Sequence, residues 1–169
     1  MEKDFFDRIE KKEAHIEALP YLTQARSWGA TVVLDANTRV NRIHAEPSAH
    51  FHRHRTEEYI LYTGAMDVYR GAWYEGDLLR TVAGLTPTAM LPGDRVIIAP
   101  HIVHIPINTS PTGSVFIEVS HGPYADDDIQ RVYDKEGRDA ALLKGWSALG
   151  YEPGISIVDL ILQIRAAQK

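Results

Sequence analysis

The sequence predicts an all-β core, an antiparallel barrel of two sheets, with helices at both ends of the chain. Short runs rich in β-branched and aromatic residues follow one another from Gly29 to Val119, separated by turn residues at a spacing typical of a sandwich or barrel. No helical pattern alternates with these runs, so a parallel sheet built from βαβ units is not predicted. Closure into a double-sheet roll hides strand edges that would otherwise pair with other chains.

The length and composition are those of one globular domain, which is predicted to span residues 1–169. The 169 residues are 44% hydrophobic and 24% charged. No run approaches the roughly 18 apolar residues of a membrane helix, and the charged N-terminus lacks the apolar core of a signal peptide, so a cytoplasmic protein is expected. A net charge of −5, with scattered lysines and arginines, argues against nucleic-acid binding.

Three segments are predicted along the chain: an N-terminal helical arm (1–25), the barrel (26–122) and C-terminal helices (123–169). In the arm, apolar residues recur at roughly helical spacing over residues 4–18, and Pro20 ends the pattern. Besides a strand that carries His50 and His52, the barrel strands are predicted at 31–35, 38–45, 59–62, 65–73, 78–84, 88–91, 95–99, 102–107 and 114–120. The last segment predicts helices at 125–134, where aspartates stand at the helix start, and at 138–149 and 155–167.

Histidines and glutamates are concentrated in two stretches of the barrel. Residues 50–58 read HFHRHRTEE, and residues 100–108 read PHIVHIPIN. Alternate side chains of a strand share a face, so histidines at a period of two place several metal donors together. Cysteine is absent, which leaves histidine and carboxylate as the strong donors. The residues alone leave every histidine and glutamate of the two stretches eligible, and a single buried histidine is more often a hydrogen-bonded core residue.

The spacing of these stretches resembles the two motifs of the cupin superfamily. Four residues follow the first motif: His50, His52, Glu57 and Gly64. Four more are similar to the second motif: Gly93, Ala99, His104 and Asn108. The resemblance implies a double-stranded antiparallel β-helix that holds one divalent metal ion through His50, His52, Glu57 and His104. His104 is preferred to His101, which stands where the motif usually has glycine. Mn is the expected ion, and Zn, Fe, Co and Ni also suit such ligands.

A closer resemblance covers residues 26–138. The segment Arg26-Ser27-Trp28-Gly29 and the tail of residues 116–138, FIEVSHGPYADDDIQRVYDKEGR, look like the cupin domain of the type II mannose-6-phosphate isomerases, to which small D-lyxose isomerases are related. Two residues depart from the former family: His50 stands where glutamine is common, and Asn41 where lysine is common. These departures move the expected substrate from a sugar phosphate toward a free sugar.

The resemblance implies aldose–ketose isomerisation of a free sugar such as D-lyxose or D-mannose through an enediolate. By strand alternation Glu118 shares a face with Phe116 and Ser120. If that face lines the barrel, Glu118 is the candidate general base, and a structural carboxylate in an ion pair is an equal alternative.

Further candidates would bind the substrate. By resemblance Arg131 contacts substrate oxygens, or else it ties Asp127 or Asp128 to the barrel rim, where the acidic run is otherwise a solvated helix start. Arg42, His54 and Tyr59 are the candidate substrate-binding residues. Their alternatives are a surface cation for Arg42, a group behind the ligands for His54 and a core aromatic for Tyr59.

Other functions stay open at this point: a mannose-6-phosphate isomerase, a metal-dependent oxygenase or polyketide cyclase, and a sugar-binding protein without catalysis. The fold does not decide between them, because cupins perform unrelated functions. The expected partners are a small-molecule sugar and a second copy of the chain in a two-fold dimer, the commonest assembly.

Overall fold

The strands of the protein form two antiparallel sheets. The computed structural model describes residues 23–122, 128–152 and 154–168. In order of hydrogen bonding, the six-stranded sheet consists of β1 (Thr23–Arg26), β2 (Gly29–Val33), β3 (Thr38–Ile43), β10 (Ser114–His121), β5 (Thr56–Thr63) and β8 (Arg95–Ile98). The five-stranded sheet consists of β11 (Ile129–Tyr133), β4 (Ala49–His52), β9 (Ile102–Asn108), β6 (Met66–Ala72) and β7 (Thr86–Met90).

Three helices, α1 (Leu78–Ala83), α2 (Ala140–Ala148) and α3 (Ile157–Ala167), pack against the five-stranded sheet. Each begins at a side-chain cap, which satisfies backbone N–H groups that have no partner within a helix. The caps are Asp77, Asp139 and Ser156. None of the helices in the described part of the chain is long and apolar enough to cross a membrane.

Alternation along the strands separates two kinds of interior. On β10, Phe116 points into the barrel, where it joins an apolar cluster with Tyr59 and Leu61, while Ile117 belongs to a different cluster on the other face of the sheet. One part of the barrel interior is thus apolar. Elsewhere the inner faces of the two sheets carry the polar residues of the candidate site.

The outer face of the five-stranded sheet forms the largest apolar core. Side chains of β4 and β9, such as Phe51 and Ile105, pack there against the helices. On α3 the buried residues lie on one helix face, as the sequence predicts: Ile157, Leu160, Ile161 and Ile164. Fully burying such a side chain contributes about 1.5–3 kcal/mol. This packing fixes β4 and β9, and both strands carry histidines on their opposite, inward face.

The hairpin turn at Gly64 joins β5 to β6 as the motif spacing predicts. Gly64 has a φ of 85°, and a Cβ atom there would lie 2.5 Å from the backbone oxygen of Gly113. Only glycine fits both the left-handed backbone and this close approach. The turn therefore begins directly after β5, seven residues after Glu57.

Most of the predicted strands are confirmed, but residues 78–84 form helix α1 and not a strand. The Asp77 side chain accepts a hydrogen bond from the backbone N–H of Arg80, and Gly84 ends the helix. Within this short segment the capping residue outweighs the β-branched pair Thr81 and Val82, whose side chains are buried.

Two corrections apply at the borders of the predicted barrel. Residues 129–133, predicted as part of a helix, form the edge strand β11, which pairs with β4. Residues 23–26, mostly assigned to a helical arm, form strand β1, which pairs with β2. In both places the hydrogen bonds of a neighbouring strand override a weak local helical pattern. The predicted helix at residues 4–18 lies outside the described residues, as do residues 125–127 of the predicted helix at 125–134.

Candidate metal centre

Three neighbouring strands bring four metal donors together. His50 and His52 lie on β4, Glu57 lies near the start of β5, and His104 lies on β9, where it pairs in register with His50. One donor atom from each of the four residues lies within 4.8 Å of all the others. This donor cluster contains the four ligands that the motif resemblance implies.

The backbone fixes the orientation of two histidine rings. The Nδ1 atom of His50 lies 2.9 Å from the backbone oxygen of Ser48, and that of His104 lies 3.0 Å from the backbone oxygen of Ile102. A carbonyl oxygen only accepts hydrogen bonds, so each Nδ1 carries the proton and each Nε2 presents a lone pair. Such support sets the tautomer of metal-binding histidines.

The third histidine, His52, faces a carboxylate with its Nδ1 atom. Asp128 is buried, and its Oδ2 atom lies 3.6 Å from Nδ1 of His52, beyond a direct hydrogen bond. Its Oδ1 atom accepts hydrogen bonds from the backbone N–H groups of Arg53 and His54 at 2.9 and 3.0 Å. Asp128 therefore closes the turn after β4 and places negative charge behind His52.

The contacts of Glu57 point to a cation in the cluster. Its Oε1 atom lies 2.9 Å from Nε2 of His52, and its Oε2 atom lies 3.1 Å from Nε2 of His104. Because the single proton of a neutral His104 is on Nδ1, the second contact sets a lone pair against a carboxylate oxygen. A second proton on the ring or a shared cation removes this repulsion, and a divalent ion would do so for all four donors at once.

The surroundings of His50 and His52 favour neutral imidazoles, and those of Glu57 favour an ionised carboxylate. Burial, with smaller contributions from His104 and His52, holds the pKa of His50 well below its usual value. Burial also lowers the pKa of His52, although Glu57 opposes this. For Glu57 burial favours the protonated form, but its contacts with His104 and His52 prevail and hold its pKa well below the usual range. Neutral imidazole and ionised carboxylate are the forms that bind metals.

The donor set fits a first-row divalent ion. Three imidazole nitrogens and one carboxylate, without a thiolate, suit Mn, Fe, Co, Ni or Zn. The cluster also borders a cavity, so a bound ion would be accessible to a small molecule. The cavity has a volume of about 680 Å³ and lies against the inner face of the six-stranded sheet.

A second carboxylate, Glu118, lies on the wall of this cavity. The Nδ2 atom of Asn41 donates to its Oε2 at 2.9 Å, and the Arg39 guanidinium lies 3.3 Å from its Oε1. Burial and the charge of Glu57 nevertheless outweigh these two partners and raise the pKa of Glu118 to about 7. The face that carries Glu118 therefore does line the barrel, and the side chain also has the ion-pair partner that the alternative interpretation requires.

Two more candidate residues border the cavity. Tyr59 is buried, and its hydroxyl donates to Oε2 of Glu57 at 3.1 Å. Burial, followed by the charges of Glu57 and Glu118, raises the pKa of Tyr59 well above its usual value. Arg131 lies on β11 next to His50 in register, and its exposed side chain lines the cavity.

The structure places Arg42 and His54 away from the cavity lining. Arg42 is exposed between Asn41 and Ile43, which line the cavity, because alternate residues of β3 face opposite sides of the sheet. His54 is exposed because β4 ends at His52 and the period of two does not continue into the turn. These two positions are corrections to the predicted substrate contacts.

Three residues that lie close to the donors or to Glu118 are absent from the predicted set. Arg39 lies two residues before Asn41 on β3 and shares its face, so strand alternation could have indicated its position. Arg55 is buried, and its Nη2 atom lies 2.9 Å from Oε1 of Glu57, but in the sequence it is one of several arginines. Asp128 reads as the last residue of a solvated acidic run, and only the pairing of β11 with β4 reveals its burial.

Comparisons with known proteins support the fold. No protein-family model matches the sequence, and no curated protein sequence matches it. The capsular polysaccharide assembling protein CapF of Staphylococcus aureus aligns with a TM-score of 0.53 and 14% identity, over 64% of this chain and 33% of the CapF chain. This chain thus spans about a third of CapF.

Two other solved structures align less closely. The cupin domain of Drosophila melanogaster CENP-C has a TM-score of 0.49 at 12% identity, over 59% of this chain and 69% of that chain. KdgF from a Halomonas species has a TM-score of 0.46 at 18% identity, over 62% of this chain and 90% of that chain. The two antiparallel sheets and the likeness to CapF support the double-sheet antiparallel β fold that the sequence predicts. Identities this low concern the fold alone, and none of these three proteins is named as a mannose isomerase.

Proposed function

We propose that the protein is a metal-dependent aldose–ketose isomerase that acts on a free sugar such as D-lyxose or D-mannose. The observation that carries the proposal is a second carboxylate, Glu118, on the wall of the cavity that borders the donor cluster, with a pKa raised to about 7. Isomerisation needs a base for the proton next to a carbonyl and positive charge near the developing oxyanion. The cavity combines a candidate for each.

The donor cluster accounts for the positive charge. His50, His52, Glu57 and His104 would hold a divalent ion, which when bound would supply electrophilic charge to a sugar carbonyl and the neighbouring oxygen. Register brings the base close: Tyr59 follows Glu57 by two residues on β5, and Glu118 is the partner of Tyr59 on β10. Glu57 and Glu118 therefore face the same side of the sheet, one residue pair apart.

Glu118 has the protonation behaviour of a catalytic base. With a pKa of about 7, its carboxyl group is roughly half ionised at neutral pH, so it can take up a proton from one carbon and return it to the neighbouring carbon. Asn41 and Arg39 each hold one of its oxygens, which keeps the group in one orientation toward the cavity.

Two residues support the reaction without exchanging a proton. Tyr59 stays protonated because its pKa is raised, and its hydroxyl keeps the Glu57 carboxylate in place. Arg131 presents an exposed guanidinium at the cavity, where its planar set of donors suits the hydroxyl oxygens of a sugar.

The proposal is tested by proton exchange in D₂O. Protein stripped with a chelator is incubated with D-lyxose or D-mannose, with and without Mn²⁺ or Co²⁺, and deuterium at C2 and ketose formation are followed by NMR. We expect ketose and C2 deuteration with added metal and neither without it. The isomerase would be ruled out if metal-loaded protein formed no ketose and exchanged no C2 proton with either sugar.

The same samples discriminate the other functions. Oxygen consumption with an aromatic substrate selects an oxygenase, and turnover of an aromatic polyketide without oxygen selects a cyclase. Sugar binding by calorimetry without turnover over hours selects a protein that only binds sugars. Each of these outcomes contradicts the isomerase proposal.

A phosphorylated sugar is the second candidate substrate. Three exposed arginines line the cavity: Arg26, Arg131 and Arg138. Guanidinium groups bind phosphate well, which favours mannose 6-phosphate although the sequence departs from that family at Asn41. Comparing kcat/KM for D-mannose and mannose 6-phosphate decides between them.

A further inference from the structure

Arg55 places a permanent positive charge inside the donor cluster. Its side chain is 3% exposed. Its Nε and Nη2 atoms lie 3.0 and 2.9 Å from Oε1 of Glu57, and Nη2 also lies 3.2 Å from Nε2 of His52. These acceptors belong to two of the four candidate ligands. The guanidinium therefore lies against the metal-binding atoms of both residues, Oε1 of Glu57 and Nε2 of His52.

An arginine at this position differs from any other charged side chain. Its guanidinium stays protonated in proteins and has donors but no lone pair, so it can neither bind a metal nor lose its charge. It does, however, neutralise Glu57, and a buried carboxylate without a partner is strongly destabilising. In protein without metal, Arg55 thus provides the cation that the cluster needs.

The number of lone pairs decides what happens when a metal binds. An Nε2 atom has one lone pair, which cannot serve both a hydrogen bond from Arg55 and a bond to a metal. A carboxylate has several lone pairs and can keep Arg55 while it binds an ion. Metal binding at His52 therefore requires Arg55 to release Nε2, although its contact with Glu57 can remain.

From this geometry we infer that Arg55 is an internal competitor of the metal ion: it stabilises the metal-free centre and lowers the affinity of the loaded one. Two positive charges a few ångströms apart repel each other, so the guanidinium weakens metal binding even after it leaves His52. The inference depends on the metal centre and is independent of which substrate the protein binds.

The test compares wild-type protein with Arg55→Gln after chelator treatment. Co²⁺ is titrated into each, with affinity measured by calorimetry and coordination by visible absorption. We expect Arg55→Gln to bind Co²⁺ at least about tenfold more tightly, because a neighbouring like charge is removed. The melting temperature of its metal-free form should fall, and Co²⁺ should raise it by more than in wild type.

A matched control is Arg53→Gln. This neighbouring arginine is exposed, and its guanidinium contacts Gln130 at 3.2 Å. Its Co²⁺ affinity should equal that of wild type. An equal or weaker affinity of Arg55→Gln would overturn the inference, because Arg55 would then support the ligands and not compete with the ion. Failure of both wild type and Arg55→Gln to bind Co²⁺ would overturn it together with the metal centre.

Two further measurements cover the case in which Arg55→Gln does not fold. Arg55→Lys keeps the charge, so its Co²⁺ affinity should stay within about threefold of wild type if charge is the cause; a tenfold gain would contradict the inference. In wild-type protein with ¹⁵N-labelled arginine, saturation with Zn²⁺ should shift the Arg55 Nε–H resonance, and an unchanged resonance would also refute it. No sugar takes part in these readouts, so an absence of isomerase activity leaves the result interpretable.

Discussion

The donor cluster and the wall around Glu118 border one cavity but are held in different ways. The donors come from strands of both sheets, His50 and His104 lie in register on β4 and β9, and backbone carbonyls orient these two rings. Glu118 is held by the side chains of Asn41 and Arg39. A side chain that is oriented by the backbone keeps its orientation when neighbouring side chains change. A side chain that is oriented by other side chains is affected by each substitution among them.

The two carboxylates of the cavity differ accordingly in their protonation. The contacts with His104 and His52 hold the pKa of Glu57 well below its usual range, although burial opposes this. Burial and the charge of Glu57 raise that of Glu118 to about 7. Neighbouring carboxyl groups with separated pKa values commonly have separate roles. Here a permanently ionised ligand stands beside a group that can exchange a proton.

The largest effect is expected from His104→Ala, which removes a ligand from the backbone-held region. His104 is fully buried, and no other histidine shares its place opposite His50. Metal binding measured by calorimetry should fall below detection, and isomerisation should disappear with it. The control is His101→Asn, since His101 is exposed and has a φ of 62°, which asparagine tolerates. Full metal affinity in His104→Ala would disprove the ligand assignment.

Glu118→Gln should separate the two regions, because it removes the base and leaves the ligands intact. The rate of deuterium incorporation at C2 should fall by about 10²–10⁴-fold, the range of general base catalysis. Metal affinity should remain within a few-fold of wild type. Glu58→Gln is a suitable control, since Glu58 pairs with Arg95 on the other face of β5. Undiminished exchange in Glu118→Gln would reduce Glu118 to a structural partner of Arg39.

The four ligands are largely predictable from the sequence, whereas the cavity wall around Glu118 is predictable only in part. Ligand spacing is a property of strand alternation and turn length, so His50, His52, Glu57 and His104 could be selected from two short stretches. The turn at Gly64 was predictable for the same reason. Strand parity likewise placed Glu118 on the face that does line the cavity.

The failures have a common physical cause, which is dependence on tertiary pairing. The sequence predicts Arg42 at the cavity because the parity of β3 is ambiguous until its partner strands are known, and Asn41 takes that place. The sequence predicts a solvated Asp128 because its burial depends on the pairing of β11 with β4. His54 continued a period of two that the end of β4 interrupts. Local sequence contains none of this information.

The raised pKa of Glu118 predicts a pH dependence of stability in metal-free protein. A carboxyl group whose ordinary pKa is 4.5 and whose pKa in the folded state is about 7 binds a proton more tightly when folded. Stability relative to Glu118→Gln is therefore highest below pH 4.5, falls as pH rises from 4.5 to 7 and is constant above. The fall should amount to about 3 kcal/mol, measured by urea unfolding of both proteins. Parallel stability curves for the two proteins would show that Glu118 has an ordinary pKa.

Asp128→Asn should weaken the donor cluster from behind. The amide oxygen can still accept from the backbone N–H groups of Arg53 and His54, but the negative charge facing Nδ1 of His52 is lost. Metal affinity should fall by about 10–100-fold, as for other groups that orient a ligand histidine. Activity should return at high metal concentration. An unchanged affinity would mean that Asp128 only closes the turn.

Arg131→Gln should produce the smallest effect, because an exposed guanidinium on an edge strand is screened by solvent. KM should rise by no more than about tenfold, since a contact of this kind contributes roughly 1 kcal/mol, while kcat stays within about twofold. Arg42→Gln, with its side chain outside the cavity lining, is the control and should change neither constant. If KM rises much more for mannose 6-phosphate than for D-mannose, Arg131 recognises a phosphate. The cavity wall would then select the substrate, and the donor cluster would serve either substrate. A fall in kcat with unchanged KM would instead place Arg131 among the groups that act in the transition state.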